Sequence, residues 1–370
     1  MGVRHAHHPM GGLHRRAQVV KAPFVWFGGK RRVADVVWAA LGDVPNYVEP
    51  FAGSLAVLLA RPHNTNDGVR RVSTINDADG FVANFWRALA LNPEAVAYHA
   101  NYPVNEVDLF ARHLWLVNSG RSRLLNNMEA DPDWFDAKIA GWWVWGVNSW
   151  IGRGWCSGDG PWMTDDEGVV RKRPHLGTAG QGINRQLPHL GDAGRGINRQ
   201  LPHLGNAGRA GYSNLEYATL PGGVGDYFAA LAGVLRDTRV CCGDWSRVVT
   251  NGALSFGSTV GVFLDPPYLG DVRTADLYAV DDHTISHEVR QWCIDNGDNP
   301  RYRIVLAGYS DEHDALIPNT WRRHRYSAGA AYQTTANKGG QNEANRHNEV
   351  LWFSPHCLGD DQYSLFGGAA

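Results

Sequence analysis

The sequence lacks an excess of positive charge. Its 35 Lys and Arg face 37 Asp and Glu, a formal net charge of −2 over 370 residues. A basic shell of the kind that marks many nucleic-acid binders is thereby excluded, and any such contact must draw on local clusters. Cysteine is scarce: Cys156, Cys241, Cys242, Cys293 and Cys357 contain no CxxC pair. Their odd number suits a reduced interior rather than a disulfide frame, so a cytoplasmic protein is expected. No apolar run reaches the length of a membrane span, and Met1 to Val20 is polar, with His5, His7, His8, Arg15 and Arg16 in place of a signal sequence. No membrane partner is expected. The His-rich start reads as a flexible tail over residues 1–20, with no metal site.

What is present begins with a hydrophobic fraction of 44%, enough for a large core and, at this length, for two lobes. Val260, Val262, Phe263 and Leu264 form an apolar run that predicts a buried strand, and it leads straight into Asp265-Pro266-Pro267-Tyr268. The two prolines fix φ near −65° and donate no backbone hydrogen bond, so the chain leaves the strand along one path. The Asp265 carboxylate and the Pro266 carbonyl are both acceptors. Together they are suited to take both protons of an NH2 group and draw its lone pair out of conjugation with a flat base. Tyr268 offers a face on which a base extruded from a duplex can stack. The plain alternative for these four residues alone is a strand ending in a proline turn.

Near the other end, Phe24-Val25-Trp26-Phe27-Gly28-Gly29-Lys30 runs into Val33, Val36, Val37, Ala40 and Leu41 at helical spacing. Paired glycines let a backbone approach a ligand closely, and a lysine beside them can meet a carboxylate. Tyr47-Val48-Glu49-Pro50-Phe51-Ala52-Gly53-Ser54 then predicts a short strand and a glycine turn, with an apolar helix over Leu55 to Ala60. The pattern is a strand, loop and helix without the G-x-G-x-x-G fingerprint. Val72 to Asp77 is another strand ending in an acid, the place where doubly wound folds put the group that grips ribose hydroxyls. In this order the three pieces point to an adenosine-containing cofactor.

These motifs carry a resemblance. Trp26-Phe27-Gly28-Gly29-Lys30, Val48-Glu49-Pro50-Phe51-Ala52-Gly53 with Asn76-Asp77, and Asp265-Pro266-Pro267-Tyr268 resemble, in this order, the Dam-type adenine-specific DNA methyltransferases. Gly243-Asp244-Trp245 is similar to that family's Asp-Phe pair near the cofactor adenine. The resemblance covers about residues 22–90 and 240–355. It implies S-adenosylmethionine as methyl donor, with Trp26, Lys30, Asp77 and Asp265 among the positions that contact it. It also implies a bacterial or phage-infected host cell as the setting and raises the question of a restriction endonuclease counterpart. No oligomeric state is assigned.

The middle of the chain matches that family poorly. Pro174 to Leu187 recurs almost letter for letter as Pro188 to Leu201, and a third copy starts at Pro202 and fades after Arg209. Apolar residues are too sparse there for a core, and Gly and Pro oppose long helices. Arg171, Lys172, Arg173, Arg185, Arg195, Arg199 and Arg209 meet only Asp192 between 171 and 210. Either these groups contact phosphates and base edges, or a slipped duplication lengthened a surface loop at little cost. Arg273, in the polar stretch behind Tyr268, is a further candidate for DNA contact. Upstream, Asn84 to Leu125 predicts helices with Phe85, Trp86, Leu89, Val107, Phe110, Leu114 and Leu116 as packing residues. Trp142, Trp143, Trp145, Trp150 and Trp155 suggest an aromatic core between helices, and Asn148-Ser149-Trp150 departs from the family's Asn-centred motif.

The expected fold is therefore a doubly wound, mostly parallel α/β sheet of the Rossmann-like methyltransferase type. Its catalytic domain spans 21–90 and 236–358. A helical and loop-rich target-recognition insert spans 91–235, and a tail covers 359–370. The expected activity is N6 methylation of adenine in double-stranded DNA. Cytosine N4 or RNA adenine is the alternative substrate, and a catalytically idle DNA-binding protein the alternative of another class. Expected cofactor-binding residues are Trp26, Gly28, Gly29, Lys30, Glu49, Phe51, Gly53, Asp77, Asp244, Trp245 and Asp265.

Overall fold

A computed structural model describes residues 20–24, 26, 30–62, 69–128, 130–131, 133–150, 155–156, 162–164, 170–172, 223–267, 282–326 and 349–359. Its frame is a seven-stranded sheet. β1 (Asn46–Glu49), β2 (Val72–Asp77), β5 (Thr238–Cys242), β6 (Val260–Leu264), β7 (Tyr302–Tyr309), β8 (Arg322–Tyr326) and β9 (Glu349–Phe353) are ordered β5-β2-β1-β6-β7-β9-β8. The first five in that order are parallel neighbours, and β9 runs antiparallel to both β7 and β8. This is the mostly parallel α/β architecture expected. A separate two-stranded hairpin pairs β3 (Trp162–Thr164) with β4 (Val170–Lys172).

Strand alternation sorts the apolar residues between two layers. Val260, Val262 and Leu264 of β6, Ile304 and Leu306 of β7, and Val350 and Trp352 of β9 share one core with Ile285, Val289 and Cys293. The last three belong to α8 (Asp282–Asn296). Phe263, Val305, Ala307, Leu351 and Phe353 point to the other face, into a core with α1 (Ala34–Leu41) and α2 (Gly80–Leu91). Helices from within 91–235 join that same core: α3 (Pro93–Ala100), α6 (Ala137–Ser149) and α7 (Val224–Val234) contribute Val96, Ile139, Trp143, Val144, Tyr227 and Phe228. The helix expected over Leu55 to Ala60 is instead a single 3-10 turn, Leu58–Ala60. Leu55, with φ +56 in the left-handed region, is incompatible with a helix starting there.

Polar caps define the helix starts. Asp79 accepts from Phe81 N at 2.8 Å to open α2, and Asp136 accepts from Ile139 N at 2.9 Å to open α6. Between α3 and α6 lie α4 (Glu106–Trp115) and α5 (Arg121–Asn127), joined by a π-helical turn. Of the packing residues expected in this region, Phe85, Trp86, Leu89 and Leu116 are fully buried, whereas Val107 is 77% exposed. Val107 follows the first residue of α4, where the helix turns outward. The tryptophan cluster is an aromatic core: Trp143 and Trp145 are buried, His113 stacks on Trp150 at 5.0 Å, and Arg112 lies over Tyr102 and Trp145 at 4.1 and 4.3 Å. All five cysteines are free thiols. Among the described residues no helix is long and apolar enough to cross a membrane.

Candidate functional site

Parallel strands deliver their carboxyl ends to one edge of the sheet, and there the chain places its acids. Asp77 ends β2, Glu49 ends β1 and Asp265 follows β6, on three adjacent strands. Glu349 opens β9, and because β9 runs antiparallel its first residue reaches the same edge opposite Tyr309 and Tyr326. Lys30, in the turn Lys30–Arg32 before α1, supplies the opposing charge: its Nζ lies 3.0 Å from Asp265 Oδ1, with Lys30 only 6% exposed. Residues 30 and 265 are brought together although far apart in sequence. They are the charge pair at the head of the central strand.

The loop after β1 is built around Gly53. Its φ of +47 is left-handed, and a Cβ there would lie 2.4 Å from Trp26 Cδ1, so the indole rests directly on the glycine backbone. Gly53 N donates to Asp77 Oδ2 at 2.9 Å, and Gly53 O accepts from Trp86 Nε1 at 2.8 Å. The glycine is thus held on both flanking peptides, by an acid and an indole N–H, with an indole face against its Cα. Asn76 ties the neighbouring loops together, its Nδ2 donating to Pro50 O at 3.0 Å and to Gly243 O at 2.9 Å. The sequence motif includes Asn76 beside Asp77 but gives it no role of its own.

On the opposite side of this loop, Phe51 and Trp245 stand 6.3 Å apart at an interplanar angle of 26°. They stack on each other at the edge of the second core. Asp244, beside Trp245, spends its Oδ1 on capping the turn Trp245–Val248 by accepting from Ser246 N at 2.9 Å. Asp77 likewise uses both oxygens on backbone amides, Gly53 N and Asp79 N. Its first role is therefore to hold the loop, and further contacts must use remaining lone pairs. Asn148 donates to Pro23 O at 3.0 Å and Val144 O at 2.8 Å, so it anchors the segment leading to Trp26.

Burial governs the electrostatics. Glu49, 3% exposed, accepts from the Tyr47 hydroxyl at 2.9 Å. Burial, with repulsion from Asp265, raises its pKa to about 8. Burial, with the neighbouring Asp79, raises that of Asp77 to about 7. Glu349 is raised as well, by burial, against a lowering by Lys30. Acids whose folded pKa exceeds the unfolded value favour folding most below the unfolded pKa and lose that contribution as pH rises through the folded one. The cofactor-free protein is therefore expected to lose thermal stability as pH rises from about 5 to about 8. A cationic ligand at this edge is expected to reverse part of the loss. Melting curves across that range, with and without ligand, check both; a melting temperature that climbs steadily to the alkaline end contradicts the first expectation.

Of the expected site residues, Trp26, Lys30, Glu49, Phe51, Gly53, Asp77, Trp245 and Asp265 gather at this edge, with Pro266 buried behind Asp265. Gly28, Gly29, Tyr268, Arg173, Arg185, Arg199, Arg273 and the repeats at 174–209 lie outside the described residues. For Arg171 and Lys172 only the backbone pairing in β4 is described. Sequence reasoning did not pick out Glu349 as a site residue. A lone acid heading an otherwise apolar strand is the signal that marks it, because acids are almost never buried without a reason.

Residues 26–112 match the family model for D12 class N6 adenine-specific DNA methyltransferases. This is the Dam-type family that the motifs resemble, and the match supports methylation of adenine N6 in DNA. No curated protein matches the chain. The matched stretch holds Trp26, Lys30, Glu49, Gly53 and Asp77. Asp265 lies beyond it and is joined to it in space through the β1–β6 pairing.

Proposed function

We infer that this chain is a site-specific adenine N6 DNA methyltransferase that uses S-adenosylmethionine. The observation that carries the reading is the Asp265–Lys30 pair at the head of the central strand, alongside the clamped Gly53 loop in the region that matches the D12 class. A sheet edge of this kind fits the cofactor: a glycine turn held against an indole, an aromatic pair beside it, and a row of buried acids complementary to a cation.

When bound, the cofactor supplies an electrophilic methyl group on a sulfonium. The chain's residues do the rest. Asp265 and the Pro266 carbonyl would accept hydrogen bonds from the two N–H groups of the adenine amine and keep its lone pair free to react. Tyr268 stacks on the extruded base. Trp26, Gly28, Gly29, Lys30, Glu49, Phe51, Gly53 and Asp77 line the cofactor side, with Asp244 and Trp245 near its adenine. Arg171, Lys172, Arg173, Arg185, Arg199 and Arg273 supply the local positive charge for the DNA backbone that the net charge of −2 does not. Methylation would leave the nitrogen acidic, and its proton would pass to solvent. No strong base is needed, and alignment provides most of the acceleration.

The test is to incubate the protein with unmethylated genomic DNA and isotopically labelled S-adenosylmethionine, digest to nucleosides and identify the labelled product by mass. Labelled N6-methyl-2′-deoxyadenosine is expected. Label on cytosine keeps the chemistry and changes the substrate, and no label on DNA overturns the reading. The restriction counterpart and the cytoplasmic setting belong to this same proposal.

A further inference from the structure

Glu349 is a buried carboxylate to which the reaction as described gives no task. It is 4% exposed at the head of β9, whose remaining residues, Val350 to Phe353, are apolar and buried. The charged groups facing it are Lys30, from the turn before α1, and Asp265, after β6; both charges act on it. Tyr309 on β7 and Tyr326 on β8 are its register partners. Its Oε2 is buried with no hydrogen-bond partner among the described residues. Placing a carboxylate in such a position costs stability that an apolar residue would not.

The neighbouring pair sharpens the point. Lys30 Nζ sits 3.0 Å from Asp265 Oδ1. An oxygen held by a cation is a weaker acceptor for the amine of a base. We propose that Glu349 is a positioning residue of the methyl-transfer site: it draws the Lys30 ammonium toward itself and so leaves Asp265 able to accept from the substrate's amino group. The proposal rests on the methyltransferase reading above. It involves one ammonium shared between two carboxylates and no covalent step. With Glu349 ionised, Lys30 is shared and Asp265 faces the substrate. With Glu349 protonated, Lys30 returns to Asp265 and acceptor strength falls. Burial moves this protonation above the ordinary glutamate range.

Glu349→Gln keeps size and shape and removes the charge. The measurement is the ratio of wild-type to variant kcat from about pH 5 to about pH 9, because groups such as Glu49 and Asp77 act on both enzymes and cancel. The ratio is expected to be about tenfold or more at the alkaline end and to fall toward one at the acid end, with KM for DNA and cofactor affinity within about twofold. Glu349→Asp is expected to retain a pH-dependent ratio of smaller amplitude. In the cofactor-free protein, the Lys30 ε-carbon resonance is expected to follow a titration that disappears in Glu349→Gln. A ratio of one throughout, a ratio independent of pH, or a Lys30 resonance that titrates identically in both proteins overturns the proposal. If Glu349→Gln does not fold, Glu349→Asp and the wild-type Lys30 titration decide: absence of a Lys30 response in the acid range overturns it. Wild-type protein that methylates no adenine defeats the functional reading instead, whatever the variants do.

Discussion

Replacing Asp265 by alanine is expected to reduce methyl transfer by at least about 10³-fold, the range in which single groups aimed at developing charge act. DNA and cofactor binding should stay within about an order of magnitude, because the loops after β1 and β2 are held by Asp77, Asn76 and Trp86. The fold should survive. Lys30 loses its 3.0 Å partner but still lies within the field of Glu349, and the expected cost is about 1–3 kcal/mol. Asp265→Asn keeps the size and one acceptor oxygen, so its activity should fall between alanine and wild type. Single-turnover rates at saturating DNA and cofactor, with a thermal melt beside each variant, make the comparison. An alanine variant that turns over within tenfold of wild type sinks the assignment of Asp265 as the amine acceptor.

Gly53→Val is expected to have the second large effect, and on a different quantity. A β-branched residue at φ +47 is strained, and its Cβ would meet Trp26 Cδ1 at 2.4 Å, which is not a contact a rigid indole can absorb. Relief requires the loop to shift. That shift breaks the bonds from Gly53 N to Asp77 and from Trp86 Nε1 to Gly53 O. A destabilisation of about 2–5 kcal/mol follows from backbone strain and overpacking together. Loss of cofactor affinity should exceed the loss of DNA affinity, since the loop belongs to the cofactor side of the site. Denaturant unfolding and cofactor titration measure the two. Wild-type stability together with undiminished cofactor affinity shows that the close approach at Gly53 does not matter.

The local physics of these two positions differs in how it can be read. Asp265-Pro266-Pro267 behind an apolar run is legible in the chain because proline geometry and burial act over neighbouring residues. The run is observed as β6, buried at all five positions. Gly53 is legible only as a glycine in a turn; that the residue is gripped from three sides depends on Trp26, Asp77 and Trp86, each on a different segment. Asp77 shows the opposite case. A strand-ending acid suggested a ligand contact, and the fold turned both its oxygens to loop amides.

Val107 and the segment after Gly53 mark where periodicity misleads. Apolar residues at roughly helical spacing predicted packing at 107 and a helix from 55. Tertiary context left the first in solvent and shaped the second as a turn with Leu55 at φ +56. Glu349 was hidden for a further reason. The one local signal is an acid heading an apolar strand, and its partners Lys30 and Asp265 stand hundreds and tens of residues away.

By itself the sequence determined strands β1, β2 and β6, the order of the cofactor-side and acceptor motifs, and the Dam-type resemblance, because each is written in residues adjacent along the chain. Only the tertiary structure decided that β1 and β6 lie side by side, that antiparallel β9 carries Glu349 to the same edge, and that Lys30 meets Asp265 there. Which carboxylates share an ammonium is fixed by strand order and burial, and these are long-range properties that no local pattern encodes.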